Sequence, residues 1–264
     1  MSFNKSNKMA WEEAFDNRKA GWCEDICERI RNEGYPFLER ALLEELSGLD
    51  LRGKTIAQFC CNNGRELLSI CKMGAAYGVG FDIAENMVSF ANTTAKNLRM
   101  NCTFLATDIL NIDSSFHGTF DYIFVTVGAL TWFDDLNAFF GVVSRCLKEG
   151  GCLIINEMHP VTNMLAMKGE ENFDAASPSK LVNPYFKCDP WIENKGMSYM
   201  SDPAKEYTKT FYSYTHTFGG IVNAIVNSDM QISRVKEYEH DISESFSELD
   251  NKGIPMSYVL VAKR

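Results

Sequence analysis

The stretch from residue 54 to residue 82 constrains the fold of this chain more than any other part. It begins with an apolar segment at 55–59, and a polar turn with Asn62, Asn63 and Gly64 follows. Asparagine and glycine tolerate the positive φ angles that a tight turn from a strand into a helix requires. The first half of the stretch therefore predicts a strand and a sharp turn that opens a helix.

The second half of the stretch predicts that helix and a second strand. Apolar residues recur at helical spacing over 67–71, Gly74 ends the helix, and an apolar strand is expected at 77–81. Asp82 stands at the carboxyl end of that strand. An acid in this position accepts hydrogen bonds from both hydroxyls of a ribose. The whole stretch is typical of a crossover unit that binds a nucleoside.

Composition argues against two classes of partner. The chain has 264 residues, a formal net charge of −9, and no marked cluster of lysine and arginine. Because an acidic surface repels phosphate backbones, we expect no nucleic-acid partner. No segment approaches the roughly 20 apolar residues that a bilayer span needs. The first 15 residues also lack the apolar run of a secretory signal, so we expect no membrane partner and a cytoplasmic location.

The cysteines indicate thiols rather than disulfides or a metal site. Nine is an odd number, and Cys71, Cys102, Cys146 and Cys152 stand inside apolar patterns that predict buried, reduced side chains. No cysteine or histidine spacing completes a metal-binding motif, so no metal is expected.

The remaining sequence predicts a single domain, 1–264, built around a mostly parallel sheet. Residues 1–47 are expected to form a helical N-terminal cap. Strands that alternate with helices up to residue 156 imply a sheet covered on both faces. Residues 157–217 hold most of the prolines and scattered aromatic residues, which is typical of a substrate-side insertion or lid. Within this insertion, alternation over 206–217 predicts a strand.

With its elements placed in order, the chain resembles the class I S-adenosylmethionine-dependent methyltransferases over roughly residues 37–262. IAQFCCNNGRE falls where that family has its glycine-rich cofactor loop, and GVGFDIAENMVSFA falls on its second strand and the following helix. ATDIL is similar to the segment whose acid meets the adenine amino group. LKEGG and the strand CLIINE then follow in family order.

This resemblance implies a fold, a cofactor and a substrate class. The fold is an α/β, Rossmann-like methyltransferase fold, with a mostly parallel seven-stranded sheet, a C-terminal antiparallel hairpin and helices on both faces. The cofactor is S-adenosyl-L-methionine. The segments EMHP and YTHTFGG resemble a bacterial branch that acts on small molecules, so we expect a small-molecule substrate and a monomer or homodimer.

The resemblance also implies which residues bind the cofactor. Asp82 would hold the ribose and Asp108 the adenine amino group, although each aspartate could instead cap a helix or form a turn. Ile83 and Ile109 would enclose the adenine unless they pack in the core. Thr126 and Val127 would border the methyl group, because open α/β sheets bind ligands outside the carboxyl ends of their strands. The complete expected set is Phe59, Cys60, Asn62, Gly64, Asp82, Ile83, Met87, Asp108, Ile109, Thr126 and Val127.

The chain departs from the family in its cofactor loop. Gln58 stands where the first strand usually carries an acid, and Cys60 and Asn62 align with the first two loop glycines. Gly64 is the one loop glycine that remains.

Three residues are candidates for a catalytic base. Methyl transfer is an in-line displacement at a sulfonium carbon, so the enzyme must mainly align the nucleophile with the methyl group. A base is needed only when the nucleophile arrives protonated. His159 is the first candidate, since it follows the fifth strand and titrates near neutral pH. Glu157 is the second and His216 the third, and the alternative for His159 is a structural hydrogen bond.

Two other functions stay open at this point. A non-catalytic protein that binds S-adenosylmethionine or S-adenosylhomocysteine would carry the same nucleoside site. An NAD-dependent dehydrogenase would share the acid after the second strand, but residues 58–66 lack GxGxxG and the expected late hairpin does not suit that fold.

Overall fold

The apolar segments of the chain form the strands at the centre of the molecule. The computed structural model describes residues 3–264. Strands buried on both faces read as nearly continuous apolar runs, as the central ones do here. The strands are β1 (Thr55–Phe59), β2 (Tyr77–Asp82), β3 (Cys102–Ala106), β4 (Phe120–Val125), β5 (Leu147–Met158), β6 (Trp191–Glu193), β7 (Phe211–Ser213), β8 (Gln231–Tyr238) and β9 (Ser257–Lys263).

Seven of these strands form one sheet in the order β3-β2-β1-β4-β5-β9-β8. β1 to β5 pair in parallel, and β9 lies antiparallel between β5 and β8. The predicted seven-stranded sheet with a C-terminal antiparallel pair is thus confirmed. Because β1 lies between β2 and β4, the strand order reverses at β1. A crevice for a ligand is expected outside the carboxyl ends of β1 and β4.

Helices cover both faces of the sheet. The side of Phe124 and Ile154 packs against the helices that lie between residues 26 and 98, and the side of Ile123 and Ile155 packs against the helices at 136–146 and 218–226. No helix within residues 3–264 combines the length and apolar character that crossing a bilayer requires. The helices are α1 (Phe3–Asp16), α2 (Ile26–Asn32), α3 (Arg40–Ser47), α4 (Arg65–Cys71), α5 (Glu85–Leu98), α6 (Leu136–Cys146) and α7 (Phe218–Val226).

The predicted strand at 206–217 is wrong except at its centre. Only Phe211–Ser213 is extended and paired, and its partner is the short strand β6. Its neighbours bond to α1 instead: the Glu13 carboxylate accepts the backbone N–H groups of Thr208 and Lys209 at 2.9 and 2.8 Å. The N-terminal region also differs from the prediction, since Gly21 and Cys23 adopt positive φ and separate α1 from α2.

α1 and residues 197–213 form a cover over one end of the sheet. The Asn7 side chain clasps the backbone of Tyr212: its Nδ2 donates to the Tyr212 carbonyl at 2.9 Å, and its Oδ1 accepts the Tyr212 N–H at 2.7 Å. Trp11 packs edge-on against Trp132 and Phe211, with ring centroids 5.2 and 5.3 Å away. The cover is therefore held by the two hydrogen bonds of Asn7 and by the aromatic contacts of Trp11.

Replacement of Gly80 by alanine should destabilise the sheet. A Cβ on Gly80 would overlap the Phe104 ring and lie 2.8 Å from the Cys61 Sγ. Overpacking of this kind costs about 1–3 kcal/mol, which urea unfolding would measure. Gly219→Ala is the matched control, because a Cβ there meets nothing within 4 Å. Equal stability of the two variants would contradict this account of β2.

Asn7→Ala should loosen the cover without unfolding the sheet. The substitution removes both hydrogen bonds to Tyr212 and leaves two backbone groups without them, at a cost of about 1–3 kcal/mol. Amide hydrogen exchange should accelerate in residues 197–213 and stay unchanged in β1 and β4. Asn97→Ala, an exposed asparagine on α5, serves as the control. Equal acceleration throughout the sheet would show that the cover is not a separate unit.

Candidate active site

The loop after β1 keeps glycine-like backbone angles although it has lost two glycines. φ is 57° at Cys60 and 51° at Asn62, and Gly64 follows with φ 79°. Left-handed backbone costs non-glycine residues about 1–2 kcal/mol each. Gly64 could not be replaced in the same way, because a Cβ there would lie 2.5 Å from the Phe104 ring. Two of the three left-handed positions in this loop are thus occupied by residues other than glycine.

Asp82 fastens this loop to the end of β2. One carboxylate oxygen accepts the Asn62 N–H at 2.7 Å, and the other accepts the Ala84 N–H at 3.1 Å before α5 begins. Burial raises the pKa of Asp82 to about 6, although the N–H groups of Ala84, Asn62 and Ile83 lower it. Asp82 thus accepts a hydrogen bond from the backbone at the start of α5. Its carboxylate also lies at the edge of the sheet where we expect a ribose to bind.

Asp108 also bonds to the protein through both carboxylate oxygens. One oxygen accepts the Leu110 N–H at 3.0 Å and so forms the turn that the sequence offered as an alternative. The other accepts the Asn4 Nδ2 of α1 at 2.7 Å. The cover therefore reaches the residue expected to meet the adenine, a contact that no local sequence pattern indicated.

The other expected cofactor residues differ in exposure. Phe59 and Ile109 are buried in the core, and Met87 packs beneath α1 with Ala10 and Ala14. Ile83 and Val127 are half-buried. Phe59 therefore faces the site with its backbone alone.

A network that the sequence did not indicate joins β1, β4 and α4. The Gln58 Nε2 donates to the Glu66 Oε2 at 2.7 Å and to the Thr126 Oγ1 at 2.9 Å. The Thr126 hydroxyl donates to the same Glu66 oxygen at 2.6 Å. Gln58 stands where the family usually has an acid. In this chain the carboxylate of Glu66 lies next to that position. The available signal was an acid in the first helical turn after the loop.

Glu157 is occupied by backbone groups. Its carboxylate accepts the N–H groups of Gly128 and Leu130 at 2.8 and 3.0 Å, and so it shapes the loop after β4. Burial raises the pKa of Glu157, and these N–H groups oppose the shift.

The two candidate histidines are also bonded within the protein. The His159 Nδ1 accepts the Val161 N–H at 3.2 Å, so Nε2 carries the proton and lies 2.9 Å from a Glu237 oxygen. The His216 Nε2 lies 2.8 Å from the Phe133 carbonyl oxygen. Burial lowers the pKa of both imidazoles. Each candidate histidine thus forms a hydrogen bond with another group of the protein. The catalytic roles of both histidines stay predictions.

Comparison with known proteins identifies the central part of the chain. Residues 56–151 match the sequence model of the methyltransferase domain family. A 41-residue segment is 51% identical to the ribosomal protein L11 methyltransferase of Sodalis glossinidius (strain morsitans). That match spans 16% of this chain and 14% of the length of that relative.

Solved structures match over a much larger share of the chain. An S-adenosylmethionine-dependent methyltransferase of Mesorhizobium loti superimposes with a TM-score of 0.61 at 20% identity, covering 89% of this chain and 100% of that one. Geranyl diphosphate C-methyltransferase of Streptomyces coelicolor A3(2), crystallised with Mg²⁺, geranyl diphosphate and S-adenosyl-L-homocysteine, gives 0.61 at 14% identity and covers 100% and 99%. Residues 56–151 therefore match the methyltransferase domain family, and the fold of the chain is that of the S-adenosylmethionine-dependent methyltransferases on which it superimposes.

Proposed function

We propose that this protein transfers a methyl group from S-adenosylmethionine to a small-molecule nucleophile by in-line displacement. The observation that carries the proposal is the Asp82 carboxylate at the end of β2, bonded to a loop with left-handed angles at Cys60, Asn62 and Gly64. This arrangement supplies an acceptor for two ribose hydroxyls beside backbone groups that a cofactor can approach. The methyltransferase match over 56–151 includes all of these residues.

The same edge of the sheet has the parts that methyl transfer needs. Thr126 and Val127 follow β4 at the crevice beside β1, where we place the methyl group. Bound cofactor would supply the electrophilic methyl carbon. The protein would then align the nucleophile at about 3–3.5 Å and exclude water. The cover, which reaches Asp108 through Asn4, supports a role in enclosing the cofactor.

We further propose that the partner is a small molecule and that the protein is cytoplasmic, as a monomer or homodimer. The net charge of −9 disfavours phosphate backbones. One protein of the same fold was crystallised with the small molecule geranyl diphosphate, which supports an acceptor of that size class.

A non-catalytic protein that binds the cofactor is the second candidate function. The observation in its favour is that Glu157, His159 and His216 all bond to groups of the protein itself. Release of S-adenosylhomocysteine from S-adenosylmethionine, measured against amines, phenols and thiols, separates the two functions. Tight cofactor binding with no turnover of any acceptor would favour the second candidate.

Asp82→Ala should weaken binding of S-adenosylhomocysteine by about 1.5–3 kcal/mol, because it removes charge-assisted hydrogen bonds to the ribose. Titration calorimetry measures the change, with NAD as a second ligand. Asp113→Ala is the control, since Asp113 likewise accepts the N–H two residues onward but follows β3 in an exposed turn. An unchanged affinity would show that Asp82 does not hold the ribose, and binding of NAD alone would indicate a dehydrogenase.

The affinity for S-adenosylhomocysteine should fall as the pH drops through 6. The ribose hydroxyls need an ionised acceptor, and burial raises the pKa of Asp82 to about 6 in the free protein. A proton therefore competes with the ligand below that pH, and the dissociation constant should rise about tenfold between pH 7 and pH 5. Asp82→Asn should bind more weakly and lose this dependence. An equally steep curve for the variant would assign the titration to another group.

A further inference from the structure

Two cysteines meet at the edge of the sheet opposite the one that carries Asp82. Cys71 is the last residue of α4, and Cys102 is the first residue of β3. Cys102 lies in register with Gly78 of β2, and α4 packs over β2. Both cysteine side chains pack against the same apolar cluster, on the side of the sheet that α4 covers. The fold therefore brings together two thiols that are far apart in the chain.

Gly78 leaves the space that both sulfur atoms occupy. A Cβ at this position would lie 2.4 Å from the Cys71 Sγ and 3.2 Å from the Cys102 Sγ. Gly78 is not among the glycines with positive φ, so its backbone angles do not call for glycine. A glycine inside a strand weakens the strand and often marks a place where other atoms approach closely. Here the approaching atoms are the two sulfurs, which converge on one point above β2.

The two thiols also interact with each other. Their hydrogen bond is the largest cause of the raised pKa of the Cys71 thiol, and burial of Cys71 adds to it. Cys71 therefore keeps its proton at neutral pH and stays directed at the Cys102 sulfur. Both side chains are half-buried, so each keeps some contact with solvent.

We propose that Cys71 and Cys102 form a site of reversible oxidation, at which a small-molecule disulfide converts the two thiols into an intrachain disulfide. The site lies away from Asp82 and the loop after β1, so the inference does not rest on the proposed function. A disulfide requires two cysteines whose sulfurs converge, as these do above Gly78. Disulfides of cytoplasmic proteins are usually transient and redox-sensing, which suits a reversible bond here.

With oxidised glutathione the reaction balances in two exchange steps. The Cys102 thiolate attacks one sulfur of the oxidant, so that a Cys102–glutathione bond forms, the S–S bond of the oxidant breaks and one glutathione thiolate leaves. Cys71 then loses its proton, its sulfur attacks the Cys102 sulfur, and the second glutathione thiolate leaves. The two thiolates take up the two protons that the cysteines released. The protein is oxidised by the loss of two hydrogen atoms, and the oxidant is reduced to two thiols.

The first exchange step prepares the second. The mixed disulfide at Cys102 has no S–H group, so the hydrogen bond that raised the pKa of Cys71 changes. The Cys71 thiol then ionises more easily and displaces glutathione. A glutathione adduct at Cys102 should therefore be short-lived, whereas an adduct at the exposed Cys188 should persist.

The test uses the whole folded chain with oxidised glutathione as the probe. Wild type, Cys71→Ser and Cys102→Ser are compared with Cys188→Ser, the control at an exposed cysteine. After the reaction the remaining thiols are blocked, and mass spectrometry of the digested protein identifies cross-linked and glutathione-bearing peptides. Thermal melts before oxidation confirm that each variant is folded. Because the wild type alone already shows which cysteines pair, the test does not depend on the variants.

We expect the Cys71–Cys102 cross-link to be the predominant one in wild type and in Cys188→Ser, and dithiothreitol should restore both thiols. Cys71→Ser should instead retain glutathione at Cys102, since the second thiol is missing. Oxidised wild type should melt at a higher temperature than reduced wild type, because the cross-link restricts the unfolded chain.

Four results would overturn the inference. The first is a lasting glutathione adduct at Cys102 of the wild type, which would show that Cys71 does not reach it. The second is a pair that stays reduced while Cys188 is fully modified. The third is a Cys71–Cys102 cross-link that forms only after guanidinium has unfolded the chain. The fourth is a melting temperature that falls on oxidation, which would show that the bond distorts the fold.

Discussion

The hydrogen bond from the Asn62 N–H to the Asp82 carboxylate holds together the edge of the sheet at which every other site feature meets. It joins the loop after β1 to the end of β2, two strands that are already neighbours in the sheet. The loop can make this contact because Asn62 adopts a left-handed conformation. The strained backbone of Asn62 and the partly buried carboxylate of Asp82 therefore meet in one turn. Strain of this kind persists where the surrounding structure over-determines it, often at functional sites.

The strands, the helices and the loop after β1 were predictable because their signals are local. Alternating apolar segments specify the parallel sheet, and the Asn-Asn-Gly turn before α4 specifies the loop. The position of Asp82 follows from the end of one strand. Each of these features depends on residues close together in the chain.

The features that could not be predicted depend on partners far away in sequence. Asn4 meets Asp108, and Glu13 bonds to residues 208 and 209. The alternating residue pattern at 206–217 predicted a strand. In the structure, the Glu13 side chain of α1 accepts the backbone N–H groups that would otherwise pair with a neighbouring strand. Glu157 shows the same limit, because its acidic chemistry was visible in the sequence and its partners on the loop after β4, Gly128 and Leu130, were not.

The two hydrogen bonds between Asn7 and Tyr212 limit the order in which the molecule folds. The two residues are 205 positions apart, so the contact closes a very long loop of the chain. Such contacts form late, because the entropy of closure must be met before they contribute any stability. During synthesis α1 leaves the ribosome long before residues 197–213, yet it must wait for them before it can dock. The sheet can therefore assemble before its cover, and α1 docks after the strands have paired.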